Sequence, residues 1–115
     1  MAYNEALANR IRESLCDFPN IEEMEMMGGL AFMLNDKMCV GVFRGNLMCR
    51  INPEMNEVVV EKTGCTTMVL GKRPMLGYVL IEEEGRRTKK DFDYWINLCL
   101  EFNPLAKSSR KKEKK

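Results

Sequence analysis

Gly28-Gly29-Leu30-Ala31-Phe32-Met33-Leu34-Asn35-Asp36-Lys37-Met38-Cys39-Val40-Gly41-Val42-Phe43-Arg44-Gly45-Asn46-Leu47-Met48-Cys49-Arg50-Ile51 decides the fold. It reads as a glycine pair feeding three short antiparallel strands, Leu30–Leu34, Met38–Phe43 and Leu47–Ile51, separated by turn residues. The glycine pair allows a turn or a close approach to a neighbouring backbone. A three-residue loop at Asn35-Asp36-Lys37 places Leu34 opposite Met38, Phe32 opposite Val40 and Leu30 opposite Val42. A two-residue loop at Arg44-Gly45 then pairs Val42 with Leu47, Val40 with Cys49 and Met38 with Ile51. In that register all these side chains share one face, and a slip of one residue would scatter them. The other face carries Ala31, Met33, Cys39, Gly41, Phe43, Met48 and Arg50. It is too apolar for an exposed antiparallel face, so another element or a second subunit is expected to cover part of it, and a homodimer is the expected assembly.

Outward from this stretch, Tyr3, Leu7, Ile11 and Leu15 recur every four residues and predict an amphipathic helix ending before Pro19-Asn20. On the other side, Asn52-Pro53-Glu54 is a cap followed by proline at the first helical position. Met55, Val58 and Val59 would share a helical face there, although the β-branched run Val58-Val59-Val60 suits a strand as well. Thr66–Leu70 and Tyr78–Glu82 read as two more strands, with Gly71-Lys72-Arg73-Pro74 and Gly77 in their connection. Thr88-Lys89-Lys90-Asp91 resembles a capping box and opens a helix with Phe92, Trp95, Ile96, Cys99 and Phe102 mainly on one side, closed by Pro104. The order α-β-β-β-α-β-β-α predicts a two-layer α+β domain, an antiparallel sheet with packed helices, over residues 1–106.

The chain has 115 residues, enough for one core. No apolar run reaches the roughly 18–20 residues of a membrane-spanning helix, and the N-terminus lacks a signal pattern, so no membrane association is expected. Five cysteines, an odd number without a C-x-x-C pair, point to reduced thiols in the cytoplasm. Histidine is absent, and with scattered thiols no metal or other cofactor is expected. The ten methionines read mainly as adaptable core filling, although methionine-rich surfaces also bind diverse partners. Residues 107–115 carry net +5, which against the whole-chain +1 leaves −4 on the body. Such a basic tail is expected to be disordered and gives weak nucleic-acid contact as one functional alternative. It has no interleaved aromatics for base stacking.

Three chemical readings remain. Arg50, Lys72 and Arg73 are candidates for a patch that meets an anion or an acidic partner, because the arginine fork suits carboxylate and phosphate. The alternative is that they pair with carboxylates such as Glu82–Glu84 or are simply solvated. Glu22-Glu23-Glu25 and Glu82-Glu83-Glu84 read as solvated edges that discourage strand pairing, not as acid–base pairs. Cys65 beside Gly64, with Lys62 near, is the candidate nucleophile for a small thiol enzyme, but no base or orienting residue accompanies it. Gly71–Gly77 lacks the spacing of a phosphate loop.

Several linked motifs together resemble the N-terminal domain of the TfoX/Sxy family. They are Met26-Met27-Gly28-Gly29-Leu30-Ala31-Phe32, Met38 with Val40-Gly41-Val42, Leu47-Met48-Cys49-Arg50-Ile51, Gly71-Lys72-Arg73-Pro74-Met75-Leu76-Gly77-Tyr78-Val79, and Trp95-Ile96. Met27 stands where the family usually has phenylalanine, and Asp36 where it often has glycine. Within the motifs, Met27, Gly28, Gly29, Pro74, Gly77 and Trp95 are the expected structural positions. The resemblance implies a two-layer α+β fold similar to secretion-chaperone-like domains, no catalytic residues, and a regulatory module that works with a protein partner. Named members act beside a DNA-binding activator and carry a second domain, whereas this chain corresponds to the first domain alone.

Overall fold

The structure, a computed structural model, describes residues 4–26 and 29–106, with the side chains of Met26 and Leu70 excepted. Tyr3, Met27, Gly28 and the basic tail 107–115 lie outside the described residues. The elements are α1 (Glu5–Ser14), β1 (Ile21–Met26), β2 (Gly29–Leu34), β3 (Lys37–Phe43), β4 (Asn46–Arg50), α2 (Asn56–Val59) after a 3-10 turn at Pro53–Met55, β5 (Cys65–Leu70), β6 (Arg73–Ile81) and α3 (Lys89–Phe102). The strands form one antiparallel sheet in the order β1-β2-β3-β4-β6-β5. The α+β class holds, with one strand more than the sequence predicts.

That strand is β1. Glu22, Glu23 and Glu25 are exposed, as a solvated edge requires, yet the segment pairs with β2 from Ile21–Leu34 to Met26–Gly29. The glutamates therefore decorate an edge strand instead of preventing one. Gly29 permits a close approach, since a Cβ there would overlap the Val42 carbonyl oxygen.

The helices lie on one face of the sheet. Asn4 caps α1, with its side-chain oxygen accepting the Leu7 N–H at 3.1 Å. Leu7, Ile11 and Leu15 then point inward, as the four-residue recurrence predicts. Thr88 caps α3 by accepting the Asp91 N–H at 3.1 Å. Phe92, Trp95, Ile96 and Cys99 meet Leu30, Phe32, Val40, Val42, Leu47 and Cys49 in the main core. Each large side chain buried there contributes about 1.5–3 kcal/mol. Phe32, Val40 and Cys49 share this side of the sheet, as expected.

The register needs one correction. Leu30–Val42, Phe32–Val40, Val40–Cys49 and Val42–Leu47 pair as predicted. Leu34, however, pairs with Lys37 across a two-residue turn, and Met33 pairs with Met38. Asn35 and Asp36 have φ of 56° and 66°, the left-handed conformations of a tight hairpin turn. The three-residue loop is thus replaced by a shorter turn plus a bulge that leaves Cys39 as the extra residue of β3. Cys39 joins Val40 in the helix-side core, and Met38 moves to the opposite face. Ile51 lies beyond β4, buried, and donates its N–H to the Gly77 carbonyl at 2.8 Å.

The second face is closed by the sheet's own side chains. Ala31, Met33, Met38, Phe43, Met48 and Met68 are buried there, with Met75, Tyr78 and Leu80 packed against them. Methionine fits this role because its unbranched chain fills irregular gaps. These residues are buried within a single copy of the chain, so covering them requires no second subunit.

Two further expectations change. Val60 continues in helical geometry after α2, so no strand forms at 58–60. Val59 is buried, but Val58 is 62% exposed and does not share its face. Strand β6 begins at Arg73, not Tyr78, so Arg73–Gly77 belong to a strand and not to a connection.

Candidate interaction surface

The hairpin of β5 and β6 is the site at which the sequence candidates come nearest to one another. Its two-residue tip is Gly71-Lys72, with Leu70 paired to Arg73. Lys72, Arg73 and Pro74 are exposed. Val69 and Leu76 beside them are 50% and 60% exposed. No acidic residue occurs between Cys65 and Tyr78, so the tip combines two cations with accessible apolar surface. Strand β5 is also the outer strand of the sheet, and an outer strand presents one backbone side with no neighbouring strand. The two sheet edges differ sharply. Three glutamates guard β1, whereas β5, Cys-Thr-Thr-Met-Val-Leu, contains no charged residue.

The hairpin holds its shape through an irregularity in β6. Thr67 pairs with Val79 and Val69 with Pro74, so β6 spends several extra residues between those two pairs. Gly77 lies in this segment with φ +89°, and a Cβ there would stand 3.1 Å from both the Ile51 carbonyl oxygen and Pro53. Its N–H donates to Asn56 Oδ1 at 3.1 Å, and Asn56 Nδ2 donates to Thr67 Oγ1 at 2.9 Å. Asn56 is 5% exposed. One buried amide from α2 thus ties the bent part of β6 to β5. Sequence reasoning missed Asn56; the only available signal was its place in a short helix, where asparagine is a weak helix former.

Arg50 stands apart from this tip. It pairs with Tyr78 across β4 and β6, its guanidinium 5.5 Å from the ring centroid. Tyr78 is five residues along β6 from Arg73, on the far side of the irregular segment. Lys72 and Arg73 are neighbours at the tip, while Arg50 belongs to the middle of the sheet. Pro74 and Gly77 lie in the hairpin. Trp95 sits in the main core, where Nε1 donates to the Gly85 carbonyl at 3.0 Å.

The cysteines divide by exposure. Cys16 is exposed, whereas Cys39, Cys49, Cys65 and Cys99 are buried. Burial pushes the Cys65 thiol up to about 11, against a smaller opposing pull from Lys62. Its sulfur therefore keeps its proton at neutral pH, the reverse of what nucleophilic attack needs. Burial also raises Cys39, as does neighbouring Cys99, with Arg50 opposing. Cys99 is raised by burial and by its hydrogen bond with Cys49. Among the described residues, no group of three or more cysteine, aspartate or glutamate side chains is arranged to hold a metal ion. No described helix is long and apolar enough to cross a membrane.

Compared with known proteins, residues 13–103 match the sequence model of the TfoX N-terminal domain. No curated protein and no solved structure matches the chain.

Proposed function

The chain belongs to the TfoX N-terminal domain family, and from that premise we propose that it is a noncatalytic protein-interaction module with a regulatory role. Its working surface in this reading is the outer edge of β5 with the basic tip of the β5–β6 hairpin. The observation that carries the reading is the contrast between the two edges. An unguarded, uncharged edge strand is a ready template for an added strand. Lys72 and Arg73 at its end favour a partner whose extended segment carries acidic residues, and Val69 and Leu76 supply apolar contact. The protonated state of buried Cys65 adds support for a role without thiol chemistry.

The test is capture of native partners by the full chain and by Lys72→Glu/Arg73→Glu, followed by reconstitution with the identified partner. The reading expects the double variant to lose the complex and bound partner to slow hydrogen exchange across Cys65–Leu70. A complex that survives the charge reversal and leaves β5 exchange unchanged would refute it.

Self-association is a second reading, favoured by the neutrality of β5. Two copies of an uncharged strand could pair antiparallel without placing like charges opposite each other. Light scattering of the purified chain separates the readings. A dimer that also protects β5 amides assigns the edge to a second copy, and a monomer leaves it to a different protein.

A further inference from the structure

The far end of β6 from the hairpin tip holds a separate cluster. Arg86 is only 7% exposed. Its Nε donates to the Ile81 carbonyl at 3.2 Å and its Nη2 to the Gly45 carbonyl at 3.4 Å. Both acceptors are neutral. No carboxylate of the described residues lies within ion-pair distance of it. Buried arginine is ordinarily paired with an anion, because desolvating its charge is expensive. Burial accordingly pushes its pKa down, with Glu83 opposing and Arg10 adding to the fall, yet a guanidinium remains charged.

Two more arginines surround the same place. Arg10 on α1 donates Nη1 to the Arg86 carbonyl at 3.0 Å, and its guanidinium lies 4.0 Å from the Phe92 ring centroid. Arg87 is exposed and has no hydrogen-bond or ion-pair partner among the described residues. All three line one cleft of about 250 Å³, together with Asn4, Ala6, Leu7 and Glu83. Three cations and one carboxylate leave the lining at net +2. The cleft also meets the first turn of α1. Asn4 takes the Leu7 N–H there, while the preceding N–H groups have no acceptor within the helix and mark its positive end. Glu5 is exposed in that turn, and Arg10 also borders Glu13 and Asp93 in the adjoining cleft.

A purely structural role explains part of this. Arg86 joins the end of β6 to the β3–β4 turn through its two carbonyl acceptors. That role does not require Arg10 and Arg87 beside it, nor an open cleft facing them. The cleft is smaller than the roughly 300–1,000 Å³ of drug-sized sites, which restricts an occupant to a small group. The planar fork of arginine suits an oxyanion, and charge-assisted bonds to one are the strong kind.

We propose that this cleft binds a phosphate group, free or as the terminal phosphate of a monoester, with Arg10 and Arg87 as outer donors and Arg86 as the buried countercharge. The site rests on none of the β5–β6 reading. Arg73 pairs with Leu70 and Ile81 with Cys65, at opposite ends of β5 and roughly 17 Å apart along it, so either proposal can fail alone.

The test is titration of the full chain with inorganic phosphate, and separately with O-phosphoserine, followed by amide and arginine side-chain NMR at constant ionic strength. Saturable shifts at Arg10, Arg86 and Arg87 are expected. Arg87→Ala should weaken binding about tenfold, as loss of one charge-assisted contact does. Arg87→Glu should abolish it, and because Arg87 is exposed and has no partner among the described residues, both variants should keep the wild-type fold. Tighter binding of phosphoserine assigns the site to a monoester, and equal or weaker binding assigns it to free phosphate. Shifts that chloride reproduces, or saturable binding that Arg87→Glu leaves unchanged, overturn the proposal.

Discussion

Asn56 accepts the N–H of Gly77 at 3.1 Å in a buried setting, and this bond joins the shortest helix to the most irregular strand. Its second bond, to Thr67 Oγ1, extends the tie to β5. Removing the amide strands a buried N–H. Asn56→Ala should therefore cost about 1–3 kcal/mol in urea unfolding. Gly77→Ala should also destabilise, because φ +89° and the two 3.1 Å approaches leave a Cβ no relaxed position. If both variants unfold at the wild-type midpoint, the tie does not hold the hairpin.

Trp95 offers a cleaner separation of packing from hydrogen bonding. Trp95→Phe retains an aromatic ring but leaves the Gly85 carbonyl without its 3.0 Å donor. The expected loss is about 1–3 kcal/mol, read from chemical denaturation. Trp95→Ala should lose more, about 3–5 kcal/mol, since it also opens the main core.

Arg12 links α1 to the edge strand β1 by a paired contact with Glu23, 2.7 and 2.8 Å. That hydrogen bond holds the Glu23 carboxyl below its ordinary value, against a smaller effect of burial, with the Arg12 charge helping. A depressed carboxyl stabilises the fold above its unfolded pKa, and the contribution disappears as pH falls through the folded value. Both side chains are more than a third exposed, so the contribution is small, within about 1 kcal/mol. Glu23→Gln should lower stability slightly at pH 7 and converge with wild type in strong acid. Urea midpoints measured against pH check this sign.

Thiol reactivity should follow burial. Native protein should expose Cys16 to rapid alkylation, with Cys39, Cys49, Cys65 and Cys99 reacting only on unfolding. The raised Cys65 pKa adds a pH effect of the opposite sense to Glu23. Its stabilising share is complete below the ordinary thiol value of 9.0 and is lost as pH rises through about 11. Cys65→Ser should flatten that part of the alkaline decline. Rapid native alkylation of Cys65 below pH 8 would contradict the assignment.

The strands were legible where burial enforced alternation. Phe32, Val40 and Cys49 fell on one side because only one register unites them with Leu30, Val42 and Leu47. Strand β1 was not legible. Glutamate is a poor strand former, and Ile21, Met24 and Met26 show no strict alternation. This edge strand forms because β2 presents backbone partners to it. The bulge at Cys39 was hidden for a related reason. A three-residue loop and a two-residue turn plus bulge fit the same residues, and they differ only in which face receives Met38 and Cys39. Of the candidate site, Lys72 and Arg73 could be named from sequence. The position of Arg50 across from Tyr78, the neutrality of a strand that proves to be an edge, and the Arg10–Arg86–Arg87 cluster could not.

By itself, the order of residues determined the helix caps at Thr88 and Asn52, the inward stripes of α1 and α3, the hairpin at Arg44-Gly45 and the family. These depend on neighbours within a few positions, where backbone geometry and side-chain period act directly. Only the assembled chain decided which strands became edges, how methionines closed the second face, and which charges met. Those outcomes join residues as far apart as Arg10 and Arg86, and their energies exist only once the sheet has brought distant segments into contact.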